Sequence, residues 1–438
     1  MKMKKMTMVL ASAALVAGLA SGCGNNDNGA NTGTNAGTNA GENTATEAPK
    51  KDVTIKIFQF KVEIAEALEK LAGEYEKETG VKVEVETHGG GEDYSALLKA
   101  ELAAGEEPEI FNSSGWAGFD PYVDRAADLT NEAWAKDLVE ASKAQISRDG
   151  KLLGMPMNLE AYGFTYNKDL FAEAGITELP KTVDELAASV EKLKAAGITP
   201  FALTSEWWSM GIHTLNIALA NHEDPAAFIA DVKEGKATLK DDPTMKEWIK
   251  LVDIMFANGQ DNALTTDYNT QVAEFAAGKY AIIQHGNWIQ GMIDEVDPEL
   301  NLGMMPVPLL GDKPNVFTGV PNNWIVNSKS DQAEEAKKFL EWMVTSETGK
   351  RYISTDFKFV PALTSIEANA EAIGDIAGDF AAFSQSNPEQ VLGWHWDHLP
   401  DGITQQWGAA MQEYLGKQIS ADDLLGKLDK SVQDIVKK

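Results

Sequence analysis

Five stretches of the chain set tryptophan beside groups that hydrogen-bond in a plane. They are Asn112 near Trp116, Glu206-Trp207-Trp208, Asn287-Trp288, Asn322-Asn323-Trp324, and Trp394-His395-Trp396-Asp397-His398. A sugar ring presents flat C–H patches on its faces and hydroxyls around its rim. Aromatic faces suit the first, and carboxylates and amides suit the second because each can engage two adjacent hydroxyls. The pattern therefore points to carbohydrate recognition. Tryptophan also packs cores, and Trp134, Trp248 and Trp342, on apolar faces of predicted helices, are assigned to packing, as is Trp407. Trp208, Trp288 and Trp396 are favoured as ring platforms. Trp116, Trp207, Trp324 and Trp394 are open to either use.

Other chemistries find little material. The six histidines are dispersed and no His-Glu-x-x-His spacing occurs, so no metal site is expected. His398 beside Asp397 reads instead as a hydroxyl-binding pair. Gly89-Gly90-Gly91 lacks both the Lys-Ser/Thr ending of a phosphate loop and the spaced glycines of a dinucleotide fingerprint, and reads as a plain loop. There is no Gly-x-Ser-x-Gly elbow, and the one cysteine lies near the N-terminus, so nucleophilic catalysis has no centre and no cofactor is implied.

The elements that must carry these residues alternate. Val53–Phe58 reads as a strand, followed by a helix with Ile64, Leu68, Leu71 and Tyr75 at helical spacing, ending near Gly80. Val81, Val83 and Val85 form a second strand. A helix from Asp93 presents Tyr94, Leu97, Leu98 and Leu102, stops at Gly105, and leads into Glu109-Ile110-Phe111. This βαβαβ series is the pattern of a largely parallel sheet covered by helices. Further strands are expected near Gly163–Tyr166, Tyr280–Gln284, Leu302–Met305 and Trp324–Asn327. Thr182 with Glu185 reads as a capping box, Asp242-Pro243 as a helix start, and Ser420 as the cap of a last helix in a mainly helical C-terminal quarter from Glu367. Roughly 390 residues from Lys51 onward exceed one ordinary domain, yet no flexible linker divides them, so two closely associated lobes are expected. Ligands of open α/β sheets bind beyond the carboxyl ends of the strands. That rule nominates the loops Gln59–Glu63, Asn112–Trp116, Glu206–Trp208, Gly286–Trp288 and Asn322–Trp324, and with them Lys61, Glu63, Asn112 and Asn323.

The N-terminal end has its own logic. Lys2, Lys4 and Lys5 precede an uncharged apolar run from Met6 to Gly22, the layout of an export signal too short to span a bilayer. Ala20-Ser21-Gly22-Cys23 resembles a bacterial lipobox, which implies a signal peptide over residues 1–22 and acylation of Cys23. Ala20 departs from the commoner leucine at its position. Residues 24–50, rich in Asn, Gly, Thr and Ala, read as a disordered tether. No second apolar run is long enough to span, so the rest is expected to be soluble. With the signal gone, 35 basic residues remain against 67 acidic, a net charge of −32. Nucleic acid and anionic lipid headgroups are unfit partners for such a chain, and a neutral ligand is the easier expectation.

Gly154-Met155-Pro156-Met157-Asn158-Leu159-Glu160-Ala161-Tyr162-Gly163-Phe164-Thr165-Tyr166-Asn167-Lys168-Asp169-Leu170 resembles the first crossover between lobes in the extracellular solute-binding proteins of carbohydrate importers, the group that contains the maltose-binding protein. Phe275 to Trp288, and Phe339-Leu340-Glu341-Trp342 through Ser346-Glu347, match the same family in order and spacing. The resemblance spans nearly all of Lys51–Lys438. It implies an α/β, two-lobe periplasmic-binding-protein-like fold, each lobe a mostly parallel sheet flanked by helices, with a hinged cleft between. The lobes would comprise residues 51–158 with 307–358, and 159–306 with 359–438, turning about crossovers near Glu160, Val307 and Phe359. The implied role is capture of an oligosaccharide for delivery to the permease of an ABC importer, by a monomer held at the outer face of the cell membrane through Cys23.

By the same resemblance Glu160 is a crossover carboxylate that contacts sugar, Glu206 and Trp208 an acid and an aromatic of the second lobe, Trp288 a stacking platform, and Trp396 or Trp394 the late aromatic. Phe60-Lys61-Val62-Glu63 lacks the Asp-Lys pair of the maltose pattern, and Asn112 stands where an aromatic is expected. Trp394 to Asp401 looks more like receptors for α-galactosides such as raffinose or stachyose, with Asp397 and His398 gripping a terminal galactose. The rival readings are an exported glycoside hydrolase using Glu160 with Glu206 or Asp397, and a receptor of the same fold for a non-sugar solute.

Overall fold

A computed structural model describes residues 51–400 and 402–437. The export signal, Cys23, the tether and Asp401 lie outside the described residues.

The first sheet is built as its sequence dictates. Strand β1 (Thr54–Gln59) buries Ile55, Ile57 and Phe58. Helix α1 (Ala65–Thr79) follows and ends where Gly80 turns into the left-handed region, φ 77°, a conformation that glycine takes without strain. Strand β2 (Lys82–Thr87) then pairs parallel with β1. Helix α2 (Tyr94–Ala104) starts where the Asp93 carboxylate accepts the Ala96 N–H. Its buried stripe runs through Leu98, while Leu97, one position off that stripe, is exposed. Strand β3 (Ile110–Ser113) joins β1 in parallel. The strand Asn323–Val326 adds antiparallel to β3, and Met155–Pro156 completes the edge.

The second lobe departs from a mostly parallel sheet. Its strands lie in the order Leu302–Met305, Phe164–Asn167, Tyr280–Ile283, Thr199–Ala202. Phe164–Asn167 runs antiparallel to both neighbours, and only Tyr280–Ile283 and Thr199–Ala202 are parallel. The strand that enters from the first lobe arrives in the opposite sense to those returned by helices, which makes the sheet mixed. A three-stranded ribbon accompanies it: Glu160–Tyr162 pairs antiparallel with Val316–Gly319, which pairs parallel with Val391–Gly393. The last strand interrupts a C-terminal quarter that is otherwise mainly helical, over Gly374–Ser386, Ile403–Leu415 and Ala421–Val436.

Two separate cores define the lobes. One gathers Ile55 to Met157, Trp324 to Val326 and Ala336 to Ile366; the other gathers Ala161 to Phe317 and Ile376 to Val432. The first passage lies at residues 158–160, where Leu159 bridges Val360. The second falls after Phe317 instead of at Val307, because Val316–Gly319 is needed to pair with Glu160–Tyr162. The third falls after Ile366 instead of at Phe359, because Phe359, Leu363 and Ile366 pack in the first core.

Trp134, Trp248 and Trp407 are buried in these cores, and Trp324 joins them at 2% exposure, so it is no platform. Trp342 is half-buried against Tyr75 and Phe339. Thr182 accepts the Glu185 N–H, but the Glu185 carboxylate reaches back to the Lys181 N–H, leaving the capping box half made. Asp242 caps its helix by accepting the Met245 N–H. At Ser420 the box is complete, with Asp423 returning the bond to the Ser420 N–H. The helix it starts lays Leu424, Leu425 and Leu428 into the second core and accepts the Trp407 indole N–H at the Leu428 carbonyl and the Ser431 hydroxyl. Ser420→Ala removes the side-chain half of that box and is expected to cost about 1 kcal/mol. Urea denaturation should show a lower midpoint at unchanged slope; an unmoved midpoint would contradict the role assigned to the cap.

Candidate functional site

A cavity of about 270 Å³ lies between the lobes. Its first-lobe wall comes from the loops after β1, β2 and β3, as the strand-end rule requires. Tyr94 fixes two of those ends at once. Its hydroxyl donates to the Phe58 carbonyl at 2.9 Å and accepts the Asn112 N–H at 2.7 Å. The Asn112 side chain accepts the Phe60 N–H, so the loop that carries Lys61 and Glu63 is tied to the end of β3. The second-lobe wall is aromatic: Trp207 and Trp208 after Thr199–Ala202, Trp288 after Tyr280–Ile283, and Trp394 with Trp396 after Val391–Gly393. The ribbon brings Glu160 and Trp394 to opposite sides of Gly319 on its central strand. Gly319 makes room, since a Cβ there would stand 2.6 Å from the Trp394 ring.

His213 is the hub of the aromatic wall. Its ring centroid lies 5.0 Å from that of Trp288, 5.3 Å from Trp208 and 5.6 Å from Trp396, and Trp396 stacks on Trp394 at 4.7 Å. A turn of π-helix, Ser209–Thr214, carries it, the kind of local irregularity that re-aims a side chain. Burial, with a smaller push from the Lys61 charge, holds the imidazole down to about 3. Its Nδ1 is buried without a partner among the described residues, so the ring is neutral and belongs with the platforms.

Opposite charges and donors meet across the cleft. Lys61 Nζ stands 2.5 Å from Glu160 Oε1 and 3.9 Å from Glu63 Oε2. Burial alone would depress the ammonium, but the charges of Glu160 and Glu63 and the hydrogen bond to Glu160 outweigh it, and its pKa is raised. The Tyr268 hydroxyl donates to Glu63 at 2.6 Å. The Trp208 indole N–H donates to the Gly90 carbonyl at 2.7 Å, which gives the glycine loop after β2 a place in the cleft. Asp397 accepts hydrogen bonds from the Ser114 hydroxyl and the Gly115 N–H.

Of the residues nominated by sequence, Lys61, Glu63, Asn112, Glu160, Trp207, Trp208, Trp288, Trp394, Trp396 and Asp397 line the cavity. Four do not. Glu206 is buried, accepting the Tyr268 N–H with its carboxylate against Gly91 of the first-lobe loop, and burial raises its carboxyl pKa. Asn323 is fully buried and donates to the Ser113 carbonyl, while its neighbour Asn322 reaches the cavity. The rings of Trp116 and His398 meet at a tilt, 4.9 Å apart, one from each lobe, beside the cavity and not within it. Trp116 pays for that position with a left-handed backbone, φ 48°. Sequence reasoning missed His213, Tyr94, Tyr122 and Tyr268, which also line the cleft. His213 sits in a π-helical turn that no residue pattern marks, and Tyr268 follows a helix-capping Asp267, so neither has a local signature.

An aromatic wall facing a polar one across a two-lobe cleft defines a receptor that closes on a small solute. Residues 61–350 match the family model of bacterial extracellular solute-binding proteins, and the chain belongs to that family. It is 25% identical over 325 residues to the multiple sugar-binding protein of Streptococcus mutans, covering 71% of this chain and 76% of that one. Identity to the melibiose/raffinose/stachyose-binding protein MelE of Bacillus subtilis is 24% over 401 residues, covering 88% and 90%. Among solved structures, a chitin oligosaccharide binding protein superposes with TM-score 0.76 at 25% identity, over 88% of this chain and 99% of that one. RafE in complex with raffinose gives 0.74 at 23%, over 87% and 99%. The family is one of extracytoplasmic solute-binding proteins, and among the described residues no helix is long and apolar enough to cross a membrane.

Burial raises the Asp397 carboxyl to about 7, the bonds from Ser114 and Gly115 only partly offsetting it. A carboxyl raised on folding contributes most below its unfolded value, near 4, and that contribution is lost as pH climbs through 7. Asp397→Asn removes the loss. The melting temperature of the variant minus that of the wild type is therefore expected to increase from pH 4 to pH 8, and a difference independent of pH would contradict the burial of this carboxyl.

Proposed function

We propose that this protein is the sugar receptor of an ABC importer, capturing an oligosaccharide between its lobes and presenting it to the membrane permease. The observation that carries the reading is the wall of Trp208, Trp288, Trp394 and Trp396 gathered around a neutral His213, opposite the hydrogen-bonding groups Lys61, Glu63, Asn112 and Glu160. Indole faces take ring C–H patches and the opposite groups take the hydroxyl rim. The names of the related sugar-binding proteins agree with it.

The receptor works as a hinge. Sugar settles first on one lobe, the lobes rotate about the passages at residues 158–160, after Phe317 and after Ile366, and the contacts between Trp208 and Gly90 and between Tyr268 and Glu63 form on closure. The protein acts as a monomer, tethered through acylated Cys23 at the outer face of the membrane. The solute we favour is an α-galactoside of the raffinose series, with Asp397 meeting a terminal galactose; His398, in contact with Trp116, would support Asp397 without touching sugar.

A glycoside hydrolase needs an acid and a base across one bond. Here Glu160 is paired with Lys61, and of its two suggested partners Glu206 is buried and accepts the Tyr268 N–H, while Asp397 accepts from Ser114 and Gly115. Incubation with stachyose is expected to release no smaller sugar, and release would overturn the receptor reading. Titration calorimetry with melibiose, raffinose and stachyose should give saturable heat, weakened at least about tenfold by Trp288→Ala as one stacking face is lost. No heat with any of the three would sink the α-galactoside assignment.

A further inference from the structure

A second cavity, about 250 Å³ and so nearly as large as the first, lies on the hinge side of the cleft. The two share a wall made of Lys61, Glu63, Glu160 and Trp288, each of which lines both. The wall is fastened from both faces. The Lys61 ammonium lies 5.9 Å from the ring centre of Phe60, in the principal cavity, and 5.9 Å from that of Phe359, in the hinge-side one. The Asn158 amide donates to Glu160 at 3.1 Å from the hinge side, and Tyr268 holds Glu63 from the other. The hinge-side chamber is more polar than the principal one and includes an ion pair between Lys358 and Asp294. Asn158, Asn287 and Glu295 offer planar hydrogen-bonding groups, and Trp288 belongs to both.

We propose that the Lys61–Glu160 ion pair is a specificity-determining partition that ends the sugar groove and keeps a chemically competent second chamber out of use. A linear chain cannot pass it without separating two buried opposite charges, which is strongly unfavourable because each would be left desolvated and unpaired. The bound sugar therefore meets the pair with a chain end, and the pair sets the longest chain accepted. The inference rests on the carbohydrate reading, and its test separates the two.

The test compares the wild type with Lys61→Ser/Glu160→Ser, which removes both charges together and so leaves neither unpaired. Both are titrated calorimetrically with raffinose, stachyose and verbascose, a series growing by one galactose at a time. In the double variant the ratio of the verbascose Kd to the raffinose Kd should fall at least about tenfold, the gain of one further ring site. Loss of affinity by the same factor for all three would overturn the partition. Lys61→Met/Glu160→Gln, which removes charge but keeps bulk, should lower the ratio as well, since no opposite charges then have to be separated, and an unchanged ratio there would overturn the ion pair as the barrier. If the wild type binds none of the three, the α-galactoside assignment fails, and chitin oligosaccharides of two to five residues measure the same ratio. A crystal structure of the serine variant reads the partition without any sugar: one continuous cavity is expected, and two chambers still closed by Glu63 and Trp288 would overturn it. Should the serine pair not fold, Lys61→Ala/Glu160→Gln carries the same comparisons.

Discussion

Lys61 and Glu160 face each other across the cleft at 4% and 5% exposure, one from the loop after β1 and the other from the first residue of the ribbon in the second lobe. Removing two such charges from water costs several kcal/mol each, and their attraction repays this only when geometry and further bonds are good. Here the ammonium has a second carboxylate, Glu63, and two ring faces, and Glu160 has the Asn158 amide. The net contribution to stability is small by such accounting. What the pair supplies is position: it fixes where the first loop of one lobe meets the first strand of the other. The aromatic wall, the polar wall and the hinge-side chamber are all arranged about it.

The two walls are built by different means. The polar wall follows from strand ends tied together by backbone-directed side chains, Tyr94 between β1 and β3, and Asn112 holding Phe60. The aromatic wall draws on segments far apart in sequence, brought together around His213. An imidazole kept neutral by burial can sit among four indoles without bringing a charge with it. Bonds that cross the cleft away from the ion pair, from Trp208 to Gly90 and from Ser114 to Asp397, join groups that would return to water on opening. They are suited to a two-state closure because each is satisfied in either state.

The βαβαβ start was legible because its signals are local: alternation in β1 and β2, Gly80 and Gly105 at helix ends, Asp93 and Asp242 at helix starts. The tryptophan-rich loops were legible for the same reason, since residue type and strand-end position coincide. The ribbon was not, because it pairs Glu160–Tyr162 with Val316–Gly319 and Val391–Gly393, partners that nothing nearby specifies. Missing it misplaced the second passage between lobes. Adjacent residues also divided in ways that composition does not encode. Asn322 reaches the cavity while Asn323 turns into the protein, and Asp397 reaches it while His398 turns to Trp116, because successive side chains point to different sides of the backbone. His213 escaped notice because its π-helical turn has no sequence signature.

The central claim is that an oligosaccharide lies between the aromatic and polar walls of the interlobe cleft. A crystal structure grown with the tightest-binding sugar of a carbohydrate panel tests it most directly. The account requires a sugar ring stacked on Trp288 or Trp208, hydroxyls bonded to the Lys61, Glu63 and Glu160 group, and the lobes closed. Sugar bound on an outer face, with the cleft empty at saturating concentration, would contradict it.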